Sequence, residues 1–328
     1  MKAAVLYTPG SAEQFQIIER PIPAPKEGEV LVKIRAFGLN RSELMTRKGL
    51  SPSVTFPRVL GIECVGEVEY DPSGSLQKGQ AVAALMGGMG REYDGSYAEF
   101  AVLPKEILVP FTSSLSWLHL GALPEMFYTA YGSLFQALLV KEGEGLLVRG
   151  GTSSVGLLAI QLAKANGLKV VATTRDPDNE SLLLENGASH VLIDDGSLKD
   201  KIKQFYPDGI DKALELVGAA TLQDTLHCVK PGGVVCMTGM LSEVWSIPDF
   251  APMEFIPATV YLTIYDSGQI RTDAAVFQQF IRQVEAGIIK IDANKVFTLD
   301  KIVQAHQLME SNKAGGKIVV VNHFDEGG

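Results

Sequence analysis

The sequence has little cysteine, no excess of positive charge and no long apolar run. Its 328 residues include three cysteines, Cys64, Cys228 and Cys236. None belongs to a C-x-x-C pair, which argues against a disulfide scaffold and against a structural zinc cluster. So few thiols fit a reducing compartment, and the cytoplasm is the expected location. Lysine and arginine total 29 against 38 acidic residues, a net charge of −9. That balance supplies no basic stripe for nucleic acid. No uninterrupted apolar run reaches the roughly 18 residues of a membrane span. The opening MKAAVLY reads as a first strand, and no signal peptide pattern follows it. None of the five histidines sits in a paired motif, so none is assigned to catalysis. Repeats and low-complexity tracts are also lacking.

What is there is a globular composition, 46% hydrophobic and 20% charged, built around one glycine turn. Leu146-Leu147-Val148 is a short apolar strand. Gly150-Gly151-Thr152-Ser153-Ser154-Val155-Gly156 is the turn. Leu157 to Asn166 lacks helix breakers, Gly167 suits the position just past a helix, and Lys169 to Thr173 is a second β-branched run. Strand, turn, helix and strand within about 30 residues form a dinucleotide-binding unit. The helix N-terminus offers N–H groups and a positive dipole end to a pyrophosphate. The G-x-G-x-x-G spacing falls on Gly151, Ser153 and Gly156. Gly151 is expected to make the tight turn and Gly156 to let helix and strand approach. Ser153 stands where the middle glycine belongs, and its hydroxyl is expected to donate to the pyrophosphate, the other reading being that it leans away from a slightly displaced cofactor.

Residues 1–121 read as a β-rich domain punctuated by proline and glycine. From residue 122 to 265 strands at 146–149, 169–173, 190–193, 211–216 and 233–237 alternate with helices. That pattern implies an α/β fold with a doubly wound parallel sheet. Thr259–Tyr265 reads as the last strand of that sheet. It holds no charge and no proline, so its bare edge suggests self-pairing in a homodimer. Thr263 is the position for a proline test if its N–H faces outward. Helical pattern returns at Ala274–Glu285 and Leu299–Ser311, and Lys317–Asn322 closes as a strand.

Several segments carry a family resemblance: FGLNRSEL (37–44), FPRVLGIECVGEV (56–68), DGSYAEF (94–100), LPEMFYTAYGSLF (123–135), GGTSSVG (150–156), KPGGVVCMTG (230–239) and AGGKIVV (314–320). Together they resemble the medium-chain dehydrogenase/reductase superfamily, nearest its zinc-free, NADPH-dependent quinone oxidoreductase branch. The resemblance implies a GroES-like, partly open β-barrel catalytic domain from residues 1–121, completed by 266–328. A Rossmann domain over 122–265 lies between these segments, with the active cleft expected where the two domains meet. The Cys and His that hold catalytic zinc in the alcohol dehydrogenases match Asn40 and Ile62 here. Neither replaces thiolate or imidazole, and Glu63 alone makes no metal site. The expected chemistry is therefore hydride transfer from NADPH to a quinone, enone or enal. The alternatives are an enoyl-thioester reductase and a non-catalytic NADPH-binding protein.

The cofactor residues follow from the turn and the resemblance. They are Gly151, Thr152, Ser153, Ser154, Val155 and Gly156 in the turn, then Thr174 and Arg175 at the end of the second strand. An acid normally occupies that end to hold ribose hydroxyls. Arg175 instead suits a 2′-phosphate, or else pairs with Asp176 or Asp178. The resemblance leads one to expect a lysine near 179 and a tyrosine near 194, where this chain has Asn179 and Asp194. It also points to Asn40 as a substrate or nicotinamide contact, and to Thr129, Gly239, Met240, Leu241 and Lys317 around the cofactor. Lys317 reads more simply as a surface lysine. Tyr93, Tyr97, Tyr128 and Tyr131 are open choices for a proton donor.

Overall fold

The structure is a computed structural model that describes residues 1–51, 54–268, 273–293, 295–311 and 313–322. The chain forms two compact units, one of Met1–Glu125 with Arg271–Gly328, the other of Met126–Ile270.

The contiguous unit carries a six-stranded parallel sheet. Its strands lie in the order His190–Ile193, Lys169–Thr174, Gly145–Arg149, Ile210–Glu215, Val229–Met237 and Tyr261–Ile264. The order reverses direction between Gly145–Arg149 and Ile210–Glu215, and open α/β sheets bind ligands at the carboxyl ends beside such a switch. Leu146, Leu147 and Val148 are fully buried, as a central parallel strand covered on both faces requires. Helix Ser154–Ala165 follows the glycine turn and buries Leu158, Ala159, Ile160 and Ala163. Helix Pro124–Tyr131 runs on into a π-helical segment, Gly132–Ala137. Tyr261–Ile264 ends the sheet, with Val229–Met237 its one partner among the described residues.

The split unit is chiefly antiparallel. Strand Glu29–Gly38 pairs with Glu63–Tyr70, with Phe100–Pro104 and with the late strand Ile318–Val321. Ala81–Leu85 extends the sheet beyond Glu63–Tyr70. Lys2–Leu6 pairs with Phe15–Glu19 and with Arg58–Val59. Helix Ala274–Glu285 buries Phe277, Phe280 and Ile281 along one stripe, and Asp273 caps it by accepting from Ala275 N. Tyr97 is fully buried, stacked on Phe37 and bonded through its hydroxyl to His306 Nε2 at 3.0 Å. Burial also holds its phenol well above the ordinary pKa. Tyr97 is therefore a core residue and leaves the set of proton-donor candidates. No described helix is long and apolar enough to cross a membrane.

Candidate functional site

The dinucleotide turn begins where strand Gly145–Arg149 ends. Gly150, not Gly151, takes the left-handed conformation, at φ 86°, so the tight turn falls one residue earlier than the fingerprint spacing suggests. Gly156 does allow close approach. A Cβ there would sit 2.5 Å from Gly150 O and 2.8 Å from Gly151 O. Ser153 has a different occupation from the expected one. Its hydroxyl donates to Gly150 O at 2.9 Å and accepts from Gly156 N at 3.1 Å, so it caps the helix. Thr152, Ser154 and Val155 remain partly exposed around it, and the first-turn N–H groups have no partner within the helix. Substituting Ser153→Ala will lower stability by about 1 kcal/mol, the usual worth of such a cap. Urea unfolding checks this. An unchanged midpoint, with NADPH bound about tenfold more weakly, would return Ser153 to the phosphate-donor role.

The second strand ends at Thr174, which is buried and bonds locally to Asp176 through its hydroxyl. Arg175 is exposed and makes no ion pair among the described residues. The Asp176 carboxylate instead accepts from Asp178 N. Across the sheet, Gly239, Met240 and Leu241 follow strand Val229–Met237, with Gly239 N on Glu215 O and Leu241 N on Leu216 O. Ser133 Oγ lies 2.8 Å from Thr238 Oγ1 and donates to the Thr129 carbonyl at 2.6 Å. The structure thus brings the buried Thr129 turn up to the strand end that carries Gly239.

Asn40 and Lys317 belong to the split unit, in a polar pocket sealed from water. Lys317 is 3% exposed, so the surface reading fails. Its ammonium lies 2.7 Å from Glu63 Oε1 and donates to Asn40 Oδ1 at 2.5 Å. The Asn40 amide gives its protons to Glu63 Oε1 at 2.9 Å and to Glu43 Oε1 at 3.4 Å. Both ends of that amide are occupied, and Asn40 has no side-chain capping bond to its own helix, Arg41–Arg47. Glu63 Oε2 accepts from Glu125 N at 2.8 Å. Gly38 makes room for the pair, since a Cβ there would strike Lys317 Cε and Glu63 Oε1. Burial opposes charge on Lys317, but Glu63 and Glu125 outweigh it and raise the ammonium's pKa.

Sequence reasoning missed Glu43. It lies one helical turn after Asn40 and is 1% exposed. Its Oε1 accepts from Ile62 N at 3.2 Å, while Oε2 has no hydrogen-bond partner among the described residues. Burial first, and the Glu63 charge second, push its pKa up to about 8. At neutral pH it is therefore chiefly the uncharged acid. A raised pKa sets the sign of the pH dependence. Glu43's contribution is whole below the ordinary carboxylate range and declines as pH climbs from there to about 8. Glu43→Gln keeps the shape without the titration. The variant will lose less stability than the parent between about pH 5 and about pH 9, as urea midpoints across that range will show. Parallel curves would refute the assignment.

A parallel sheet with its glycine turn, and a separate antiparallel unit whose late strand returns to the early ones, define a two-domain dehydrogenase. A family model described as zinc-binding dehydrogenase matches residues 154–285, and one described as alcohol dehydrogenase GroES-like domain matches residues 26–113. The quinone oxidoreductases of Rattus norvegicus and Homo sapiens are 29% and 27% identical over 332 residues, covering 98% of this chain and 98% of each of theirs. The solved quinone oxidoreductase of Pseudomonas syringae pv. Tomato DC3000 is 25% identical, with a TM-score of 0.88 over 98% of this chain and 100% of that one. The chain belongs to the medium-chain dehydrogenase/reductase superfamily, in its quinone oxidoreductase branch.

Proposed function

We propose that this protein is an NADPH-dependent oxidoreductase that reduces quinones or α,β-unsaturated carbonyls without a metal. The observation that carries the reading is the buried Lys317 ammonium on Glu63 and Asn40. At the positions matching the zinc ligands, an apolar Ile62 and an occupied amide offer a metal nothing. Glu63 already has its cation, so zinc would have to displace Lys317. These residues do not fit zinc. Without such a Lewis acid to stabilise an alkoxide, the natural acceptor is one whose own conjugated carbonyl takes the charge.

NADPH, when bound, supplies the hydride. The protein's part is to hold the dinucleotide. Helix Ser154–Ala165 presents its N-terminus to the pyrophosphate. Arg175 meets the 2′-phosphate, and Gly239 to Leu241 line the carboxyl end of the sheet. The three cysteines are buried and free, which suits the reducing cytoplasm.

A screen of NADPH oxidation against quinones, enals, enones and an enoyl thioester, with and without a chelator, tests the reading. Turnover of quinones or enones, indifferent to chelation, is expected. Loss of activity on chelation would overturn zinc independence. Turnover of the thioester alone would make the protein an enoyl-thioester reductase. A flat response across the panel, with NADPH bound, would make it a non-catalytic binding protein.

The edge strand supports a homodimer. Tyr261 and Ile264 are 63% and 64% exposed, and no charge or proline protects this edge. Tyr265 N donates inward to Met237 O. Successive N–H groups of a strand face opposite edges, so Thr263 also faces inward, while Leu262 and Ile264 face out. Thr263 is thus the wrong place for a proline test. Ile264→Pro removes an outward donor and will yield monomers by light scattering. A monomeric parent protein at micromolar concentration would refute the dimer.

A further inference from the structure

Arg149 ends the strand that leads into the glycine turn, and its side chain is 0% exposed. Its Nε and Nη2 donate to the two oxygens of Asp194 at 2.8 and 2.7 Å. Its Nη1 donates to Asp224 Oδ2 at 2.8 Å, Thr225 Oγ1 at 2.9 Å and Thr221 O at 3.1 Å. Such a two-pronged grip fixes a carboxylate in direction as well as in place. Asp194 follows strand His190–Ile193, the neighbour of Lys169–Thr174. Its backbone N–H donates to Thr174 O at 2.8 Å. An acid therefore stands beside Thr174 and Arg175, the pair expected to face the ribose of a bound dinucleotide.

Left free, an acid at that place would favour ribose hydroxyls and repel a 2′-phosphate. Asp194 is not free. Arg149 takes both oxygens, Gly196 N adds a bond to Oδ1 at 3.0 Å, and the side chain is 7% exposed. Arg175, next in the chain after Thr174, keeps its own charge in solvent.

We propose that Arg149 is a specificity determinant, a positioning residue that pins Asp194 inward and so keeps a carboxylate off the cofactor's ribose. The phosphate-bearing dinucleotide then meets Arg175 alone. This inference rests on the NADPH reading above and adds the residue that enforces it.

The test is the ratio of NADH to NADPH dissociation constants in the parent and four variants. Arg149→Lys keeps the buried charge but loses the two-pronged grip. It will move the ratio toward NADH by about tenfold, the worth of one charged contact. Adding Asp194→Asn to Arg149→Lys will restore the parental ratio, while Asp194→Asn alone will change it by less than about twofold. Asp194→Glu carries its carboxylate past the guanidinium and will shift the ratio as Arg149→Lys does. It keeps both charges, so it serves as the test should Arg149→Lys fail to fold. A purely structural arginine would lower melting temperatures and leave the ratio unmoved. The inference is overturned if Arg149→Lys and Asp194→Glu both leave the ratio unchanged. It is also overturned if Asp194→Asn alone raises NADPH preference about tenfold, since the acid would then already face the cofactor. A parent protein that binds neither dinucleotide would instead overturn the NADPH reading.

Discussion

Lys317→Met will cost the fold about 3–5 kcal/mol, the usual penalty for stranding one member of a buried ion pair. Methionine fills much of the lysine stem's volume, so the loss reports the charge and not a cavity. Glu63 is fully buried, and without the ammonium its donors among the described residues are the Asn40 amide and Glu125 N. Glu43 adds no cation, being an acid itself. Adding Glu63→Gln should recover most of the loss, because a neutral pair leaves no uncompensated charge. Urea unfolding of the two variants decides the matter. A loss below about 1 kcal/mol, the worth of an exposed pair, would mean that the pocket is wetter than its burial implies.

Arg175→Glu will abolish or reverse the NADPH preference. A charge-assisted contact to a phosphate is worth about 1.5–3 kcal/mol. Reversing the charge replaces that attraction with repulsion, so NADPH affinity should fall by about a hundredfold. NADH, which lacks the phosphate, should be nearly unaffected. Nicotinamide fluorescence titrations with both cofactors measure this directly. Equal affinity of the parent for the two would remove the role assigned to Arg175.

The alternation of short apolar runs with helical stretches made the sheet legible. Strand His190–Ile193 lies where the pattern puts it, and helix Ala274–Glu285 matches its expected bounds. Phe277, Phe280 and Ile281 share a stripe that only a helical period places together. The pocket around Lys317 was not legible. Gly-Gly-Lys before a strand is an ordinary surface pattern, and its partners Asn40 and Glu63 sit at the far end of the chain. Glu43 reads as one more polar helix residue until the fold buries it. Ser153 carries a local signal, a serine just before a helix, masked by its place in the glycine spacing. Arg149 reads as the polar end of a strand, and nothing nearby in sequence announces Asp194 or Asp224. Local pattern specifies elements; pairing of distant charges waits on topology.

The late strand Ile318–Val321 pairs with Glu29–Gly38 in the split unit. That register has a consequence for how the protein is made. On the ribosome, Glu43 and Glu63 emerge well before Lys317, whose ammonium pairs with Glu63. The contiguous sheet unit can complete itself first, since domains fold as units during synthesis. The split unit must hold its acids hydrated until Lys317 arrives. Its core closes only once Lys317 and strand Ile318–Val321 have been made, and a ribosome stalled before that point would present an open, acid-lined half-domain to the cell's quality control.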